Sequence, residues 1–268
     1  MNILKQLCCC SKTKTEKKTE ESNTTLTNMI FSCFSMMGEG TKKFECQDSI
    51  GIVDNHSPNF YFFGVFDGHG SSGKEAANMA SDFMANYIEK NHKAILRFRT
   101  DQKRMNFIKK MFKLAENQLK NSEIDMSCSG TTAIAFFIQD SICYTINLGD
   151  SRGILGRITQ TQTFTIELSR DHKPLATGEK ERILKAGGKI ERALHNGKYK
   201  GPYRVWADED GPGIAMARSL GDFLAKKIGL TYEPEITQIS LNVWDQFLVC
   251  ASDGLWDVMG STEVVCFI

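Results

Sequence analysis

Apolar runs long enough to cross a bilayer are missing from this chain of 268 residues. An excess of charge is missing too. Lys and Arg number 33 against 32 Asp and Glu, so the net charge of +1 gives no electrostatic reason to expect nucleic acid as partner. No GxxxxGK[ST] loop occurs, which argues against a P-loop nucleotide-binding reading. The nine cysteines show no CxxC and no Cys/His ligand spacing, so they are read as reduced thiols of a cytoplasmic chain. Met1 to Cys10 has no proper apolar stretch and no small-residue cleavage site, and no secretory signal is expected. Internal repeats are absent, as is any linker-like stretch after residue 29.

What is present has the composition of an ordinary globule, with 41% hydrophobic and 24% charged residues. Residues 1–28 form a polar tail too poor in apolar side chains to fold alone, and residues 29–268 are expected to form one domain. Within the tail, Cys8-Cys9-Cys10 precedes a lysine-bearing run, a setting in which S-acyl chains could tether a protein to a membrane. Without a glycine at position 2 for a first lipid, the plainer reading of incidental cysteines is preferred.

Two periodicities coexist in the domain. Ala76, Ala80, Phe83, Met84, Tyr87 and Ile88 share one face of a helix over 72–91, and a second amphipathic helix spans 100–119. Their apolar stripes are read as packing. Runs 131–138 and 142–148 are joined by three residues, as are 153–158 and 162–169, so antiparallel hairpins are expected. A short helix near 178–186 stops at Gly187-Gly188. Residues 196–213 lack periodicity and read as a long surface flap. Hairpins with a few long helices indicate an α+β chain, antiparallel sheets covered by helices.

One device repeats. VFDGHG (65–70) and ASDGLWD (251–257) each end an apolar run with Asp-Gly, NLGDSR (147–152) closes another on an aspartate, and Asp48 stands beside an early strand. One Asp-Gly pair is merely a turn. Repeated copies, with His69 lodged between two glycines, suggest carboxylates converging on one rim of the sheets. Such a cluster stays ionised only with compensation, and hard divalent cations suit an all-oxygen site to which the Gly68 carbonyl could also contribute.

At this point the chain resembles the metal-dependent protein phosphatases of type 2C. The matching pieces, in order, are KKFECQD (42–48), VFDGHGSSG (65–73), SGTTAIAFFI (129–138), NLGDSRGIL (147–155), SRDHKP (169–174), AMARSLGDF (215–223) and ASDGLWDVM (251–259). The resemblance implies an α-β-β-α sandwich of two antiparallel sheets with helices on both outer faces and a dinuclear Mg²⁺ or Mn²⁺ site at one edge. It implies that Asp67 bridges both ions, that Gly68 offers its carbonyl, and that Asp253 is a terminal ligand. Asp48 would bind metal-held water, and Asp150 and Asp257 would join Asp253 at a weaker third ion. His69 would be the general acid, and Lys43 falls where many members place a phosphate-binding arginine. The implied activity is hydrolysis of phosphoserine and phosphothreonine proteins by in-line attack of a metal-bridging hydroxide. A monomer is expected, although the sequence leaves the oligomeric state open. That chemistry is coherent, since a leaving alkoxide needs a proton and an imidazole of pKa about 6.5 supplies one near neutrality. No cysteine nucleophile is required, and Cys250 in its strand run is read as packing.

There are two departures. Gln47 stands where some members carry Glu. The resemblance also implies further strands, a helix and an Asp-Asn pair beyond Ile268, so the expected sandwich lacks its last strands and helix and one ion lacks an anionic ligand. The alternative is therefore a weak or inactive relative that binds phosphoproteins. Cytoplasmic localisation is expected, with nuclear or membrane-associated pools left open.

Overall fold

The computed structural model describes residues 8–12, 29–36, 45–54, 60–206 and 213–268. Its strands are β1 (Cys8–Lys12), β2 (Met29–Cys33), β3 (Asp48–Val53), β4 (Phe60–His69), β5 (Gly130–Thr131), β6 (Ala133–Gln139) and β7 (Ile142–Leu148). They continue as β8 (Arg152–Ile158), β9 (Thr163–Glu167), β10 (Lys189–His195), β11 (Lys198–Trp206), β12 (Leu220–Gly221), β13 (Glu235–Ser240) and β14 (Asp245–Ala251). The helices are α1 (Gly73–Ile95), α2 (Asp101–Lys120), α3 (Glu179–Lys185), α4 (Phe223–Lys226), α5 (Asp253–Trp256) and α6 (Ser261–Phe267).

Strand β4 explains the layering. Its FYFFGVF run is buried on both faces, as a central strand between two apolar layers must be. Phe60, Phe62 and Phe66 face the layer under α1 and α2, with Met84, Ile88, Ile108 and Phe112. Tyr61, Phe63 and Val65 point the other way and meet Phe136, Leu155, Leu248 and Cys250 between the two sheets. Alternate residues of β14 then turn outward, where Phe247, Val249 and Ala251 pack on Leu255, Trp256, Val264 and Val265 of the last helices. Helices therefore cover both outer faces of a sheet sandwich, as expected. Each fully buried Phe contributes about 1.5–3 kcal/mol through burial alone.

One sheet runs β2-β1-β14-β8-β9, and the other runs β12-β5-β4-β6-β7-β13 with β3 paired to β4. All the named pairings are antiparallel, including the hairpins β6–β7 and β8–β9. Helix α1 runs past Asn91 to Ile95 because Ile95 is itself buried in the helix-side core. Helix α2 starts where Thr100 accepts a hydrogen bond from the Lys103 N–H.

Three expectations change. The strand carrying Asp67 does not stop there; it continues to His69, because β5 takes over from β6 as its partner, and the chain turns only at Gly70, φ +85°. The supposed flap is in large part a β-ribbon, β10 against β11, turned at Asn196-Gly197, both with positive φ. Its strands are mostly exposed and only Val205 is buried, so little apolar alternation could announce them; residues 207–212 lie outside the described residues. In the tail expected to be without structure, β1 pairs its backbone with β14 and β2. No helix among the described residues is long and apolar enough to cross a membrane.

Candidate active site

Strand register brings the first two carboxylates together. Asp48 lies directly opposite Asp67 across the β3–β4 pair, an arrangement of like charges that a sheet disfavours. Asp67 is anchored by its backbone: its N–H donates to Thr132 Oγ1 at 3.1 Å, and its carbonyl accepts from Thr132 N at 2.9 Å. Thr132 in turn meets Ser151 Oγ at 2.7 Å, tying this strand to the turn that bears Asp150. Asp253 begins α5 at the end of β14, and Ser252 just before it reaches Asp48 Oδ2 at 3.3 Å.

The outcome is electrostatic crowding. Burial, followed by the charges of Asp48, Asp253 and Asp150, holds the Asp67 carboxyl well above the usual carboxylate range. Asp253 is also raised, first by burial and then by Asp150 and Asp257. Asp48, Asp67, Asp150, Asp253 and Asp257 thus influence one another, although they come from four separate segments of the chain.

Glycine at position 68 is a steric requirement. A Cβ there would stand 2.0 Å from the Gly73 carbonyl oxygen and 2.6 Å from that of Gln47. Gln47 accepts from Gly68 N at 3.1 Å, and its side-chain amide donates to the Gly70 carbonyl at 2.9 Å, so it clamps the turn after His69. Lys43 lies outside the described residues.

Two basic groups border the carboxylates. Lys173 Nζ meets Asp150 Oδ2 at 2.6 Å, and Asp150 is 2% exposed, so this ammonium is its counter-ion. Burial works against the Lys173 charge, but Asp150 outweighs it and the ammonium is held above its ordinary pKa. Behind Asp150, His172 is buried and accepts from Gly149 N at its Nδ1, 3.1 Å away, while its Nε2 faces Glu235 Oε2 at 3.3 Å. Burial, then the Arg218 charge, lowers His172 to about 4, so a neutral ring braces the Gly149-Asp150 turn at pH 7. His69 ends β4 opposite Gly130 and pairs its Nε2 with Asp222 Oδ2 at 2.6 Å.

Asp222 and Lys173 had no role from sequence. The signal for Asp222 was present: Leu220-Gly221-Asp222 repeats the Leu148-Gly149-Asp150 tripeptide. Lys173 carried no signal beyond its place in the SRDHKP run.

The donors suit a hard cation. Among the described residues, no three His, Cys, Asp or Glu side chains are arranged as a ready ligand set around one point. Asp67 instead feels Asp48, Asp253 and Asp150, and Asp253 feels Asp150 and Asp257. Such an oxygen-only, strongly anionic, partly open centre fits a hydrated Mg²⁺ or Mn²⁺, which keeps several waters and takes one or two carboxylates.

The sequence matches the family model described as Protein phosphatase 2C over residues 34–268. It is 34% identical over 249 residues to "Probable protein phosphatase 2C 73" of Oryza sativa subsp. japonica, covering 82% of this chain and 57% of that protein. It is 31% identical over 258 residues to "Probable protein phosphatase 2C 35" of Arabidopsis thaliana, covering 89% of this chain and 72% of that one. The chain thus spans little more than half the length of the rice relative. Among solved structures, the serine-threonine phosphatase 2C from Toxoplasma gondii superposes with a TM-score of 0.70 at 25% identity, covering 83% of this chain and 78% of that one. A C. elegans sex determining protein shares the fold, with a TM-score of 0.68 at 23% identity over 83% of this chain and 52% of its own.

Proposed function

Because the chain belongs to the protein phosphatase 2C family, we propose that it is a metal-dependent hydrolase of phosphoserine and phosphothreonine in proteins. The observation that carries this reading is the mutual crowding of carboxylates: Asp48, Asp150 and Asp253 act on Asp67, two residues from His69, and Asp150 and Asp257 act on Asp253. A fold has no structural need for that repulsion, whereas a site for divalent ions does.

Divalent ions, when bound, supply positive charge at the phosphate and an activated water. Asp67 and Asp253, with the Gly68 carbonyl, would hold them, Asp48 would orient coordinated water, and Asp150 and Asp257 would extend the centre to a third ion. The remaining work falls to the chain's own groups. His69 stands ready to protonate the seryl or threonyl oxygen as the P–O bond breaks; without that proton an alkoxide is a poor leaving group. Lys173 screens Asp150 and keeps the approach of a phosphate dianion from meeting bare negative charge. Lys43 is the residue proposed to take the phosphate itself.

Phosphate release from a phosphothreonine peptide should depend on added Mn²⁺ or Mg²⁺, vanish with excess EDTA and return when Mn²⁺ is restored. Release that survives exhaustive chelation would overturn the metal-dependent reading.

A further inference from the structure

The last residue of β4 and the residue after β12 are 153 positions apart in sequence, yet their side chains meet. The sheet arranges this. His69 pairs with Gly130 in β5, and Gly130 pairs in turn with Gly221 in β12, so the three stand in one line across the strands. Asp222 follows at once, in the left-handed region at φ +51°, with its N–H donating to the Ser129 carbonyl at 2.9 Å. Such a conformation is strained and persists where surroundings enforce it.

Those surroundings are specific. A Cβ on Gly130 would come within 2.5 Å of Asp222 Oδ2, so the glycine leaves the space that the carboxylate fills. Ser219 Oγ donates to the same Oδ2 at 2.6 Å. Glu116 of α2 accepts from Gly221 N at 3.0 Å, and Lys226 Nζ bridges Glu116 Oε1 at 2.7 Å and the Gly221 carbonyl at 2.6 Å. The carboxylate is fully buried, and Oδ2 receives both the Ser219 hydroxyl and the His69 ring.

A carboxylate can only accept, so Nε2 carries the proton of this contact. We infer that Asp222 is a positioning residue that fixes the orientation and tautomer of His69, the proton donor of the reading above, through its contact with Nε2. The inference rests on the phosphatase reading above. In the step it serves, the P–O bond electrons pass to the seryl or threonyl oxygen, which takes one proton from the imidazolium of His69. The ring is left neutral, with Nε2–H still on Asp222. A merely structural Asp222 would hold the turn and affect all substrates alike.

Asp222→Asn separates the two roles, because Asn tolerates the left-handed region and keeps the size while its amide can offer the ring a donor. Two substrates are compared with Mn²⁺ present: a phosphothreonine peptide, whose alkoxide needs a proton, and p-nitrophenyl phosphate, whose leaving anion is stable. For the peptide, kcat should fall about 10²-fold or more with KM little changed. The loss on the aryl ester should be at least about tenfold smaller, and adding His69→Ala to Asp222→Asn should cost the peptide reaction little more. Ser219→Ala, which removes one donor to the carboxylate and leaves the turn residue intact, should show the same selectivity at roughly five- to tenfold. Equal losses on both substrates in either variant would overturn the inference and leave the phosphatase intact. No turnover of either substrate by the unsubstituted protein would overturn the phosphatase reading, and this inference with it.

Discussion

Asp67→Asn is expected to remove phosphatase activity and, in metal-free protein, to raise stability. The two effects share a cause. Asp67 is the carboxylate on which the electrostatic cost of the centre concentrates, with burial first, then Asp48, Asp253 and Asp150 acting on it. Its folded-state proton affinity lies above that of the unfolded chain. The metal-free fold therefore loses stability as pH rises from about 4 towards the raised folded value, and bears the full cost above it. An amide removes that cost at pH 7. A gain of about 1 kcal/mol would appear as roughly 2–4 °C in Tm. Added Mn²⁺ should raise the Tm of the unsubstituted protein by mass action and that of the variant far less. Activity should fall about 10³-fold or more, the equivalent of several kcal/mol of lost charge stabilisation. Equal turnover in both proteins, or a less stable metal-free variant with an unchanged Mn²⁺ response, would contradict this.

Arg218→Ala should be the most destabilising single change among the ion pairs, by about 3–5 kcal/mol. Glu179 is 1% exposed and is held by Arg218 through Nη2 at 2.6 Å and Nε at 3.1 Å, while Arg218 Nη1 also donates to the Glu233 carbonyl at 3.0 Å. Burial alone would raise the Glu179 carboxyl, but hydrogen bonds from Arg218 and then Arg182 outweigh it and bring it to about 2. The sign is that of a depressed carboxylate. Its stabilisation is complete above the unfolded value near 4.3 and is lost as pH falls towards 2. Denaturant unfolding at pH 7 should therefore show the full difference between the two proteins, and that difference should shrink below about pH 4. A loss under 1 kcal/mol at pH 7 would mean that Arg182, at 2.7 Å from Glu179, suffices alone.

The layers were legible because local pattern and global burial agree in them. The face of α1 with Ala76, Ala80, Met84 and Ile88 is the buried face, and β6 and β7 form the hairpin that their three-residue spacing implied. The Asp-Gly repeats announced the carboxylate centre because each acid lies within two residues of the end of a buried strand, a place where a charge needs a reason. The β10–β11 ribbon stayed hidden because most of its residues meet solvent and only Val205 is buried, leaving Asn196-Gly197 as the main cue. The extension of β4 to His69 stayed hidden too, since its partner there is the two-residue strand Gly130–Thr131, shorter than any pattern. Asp222 and Lys173 were missed for a related reason: each is defined by a partner distant in sequence, His69 or Asp150, and no local property of either residue marks the pairing.

Anomalous scattering from crystals grown with Mn²⁺ tests the central claim most directly. Peaks should lie within coordinating distance of the Asp67 carboxylate, with Asp253 as a further ligand to one of them. Manganese bound elsewhere, or a map with no peak beside Asp67, would contradict the account.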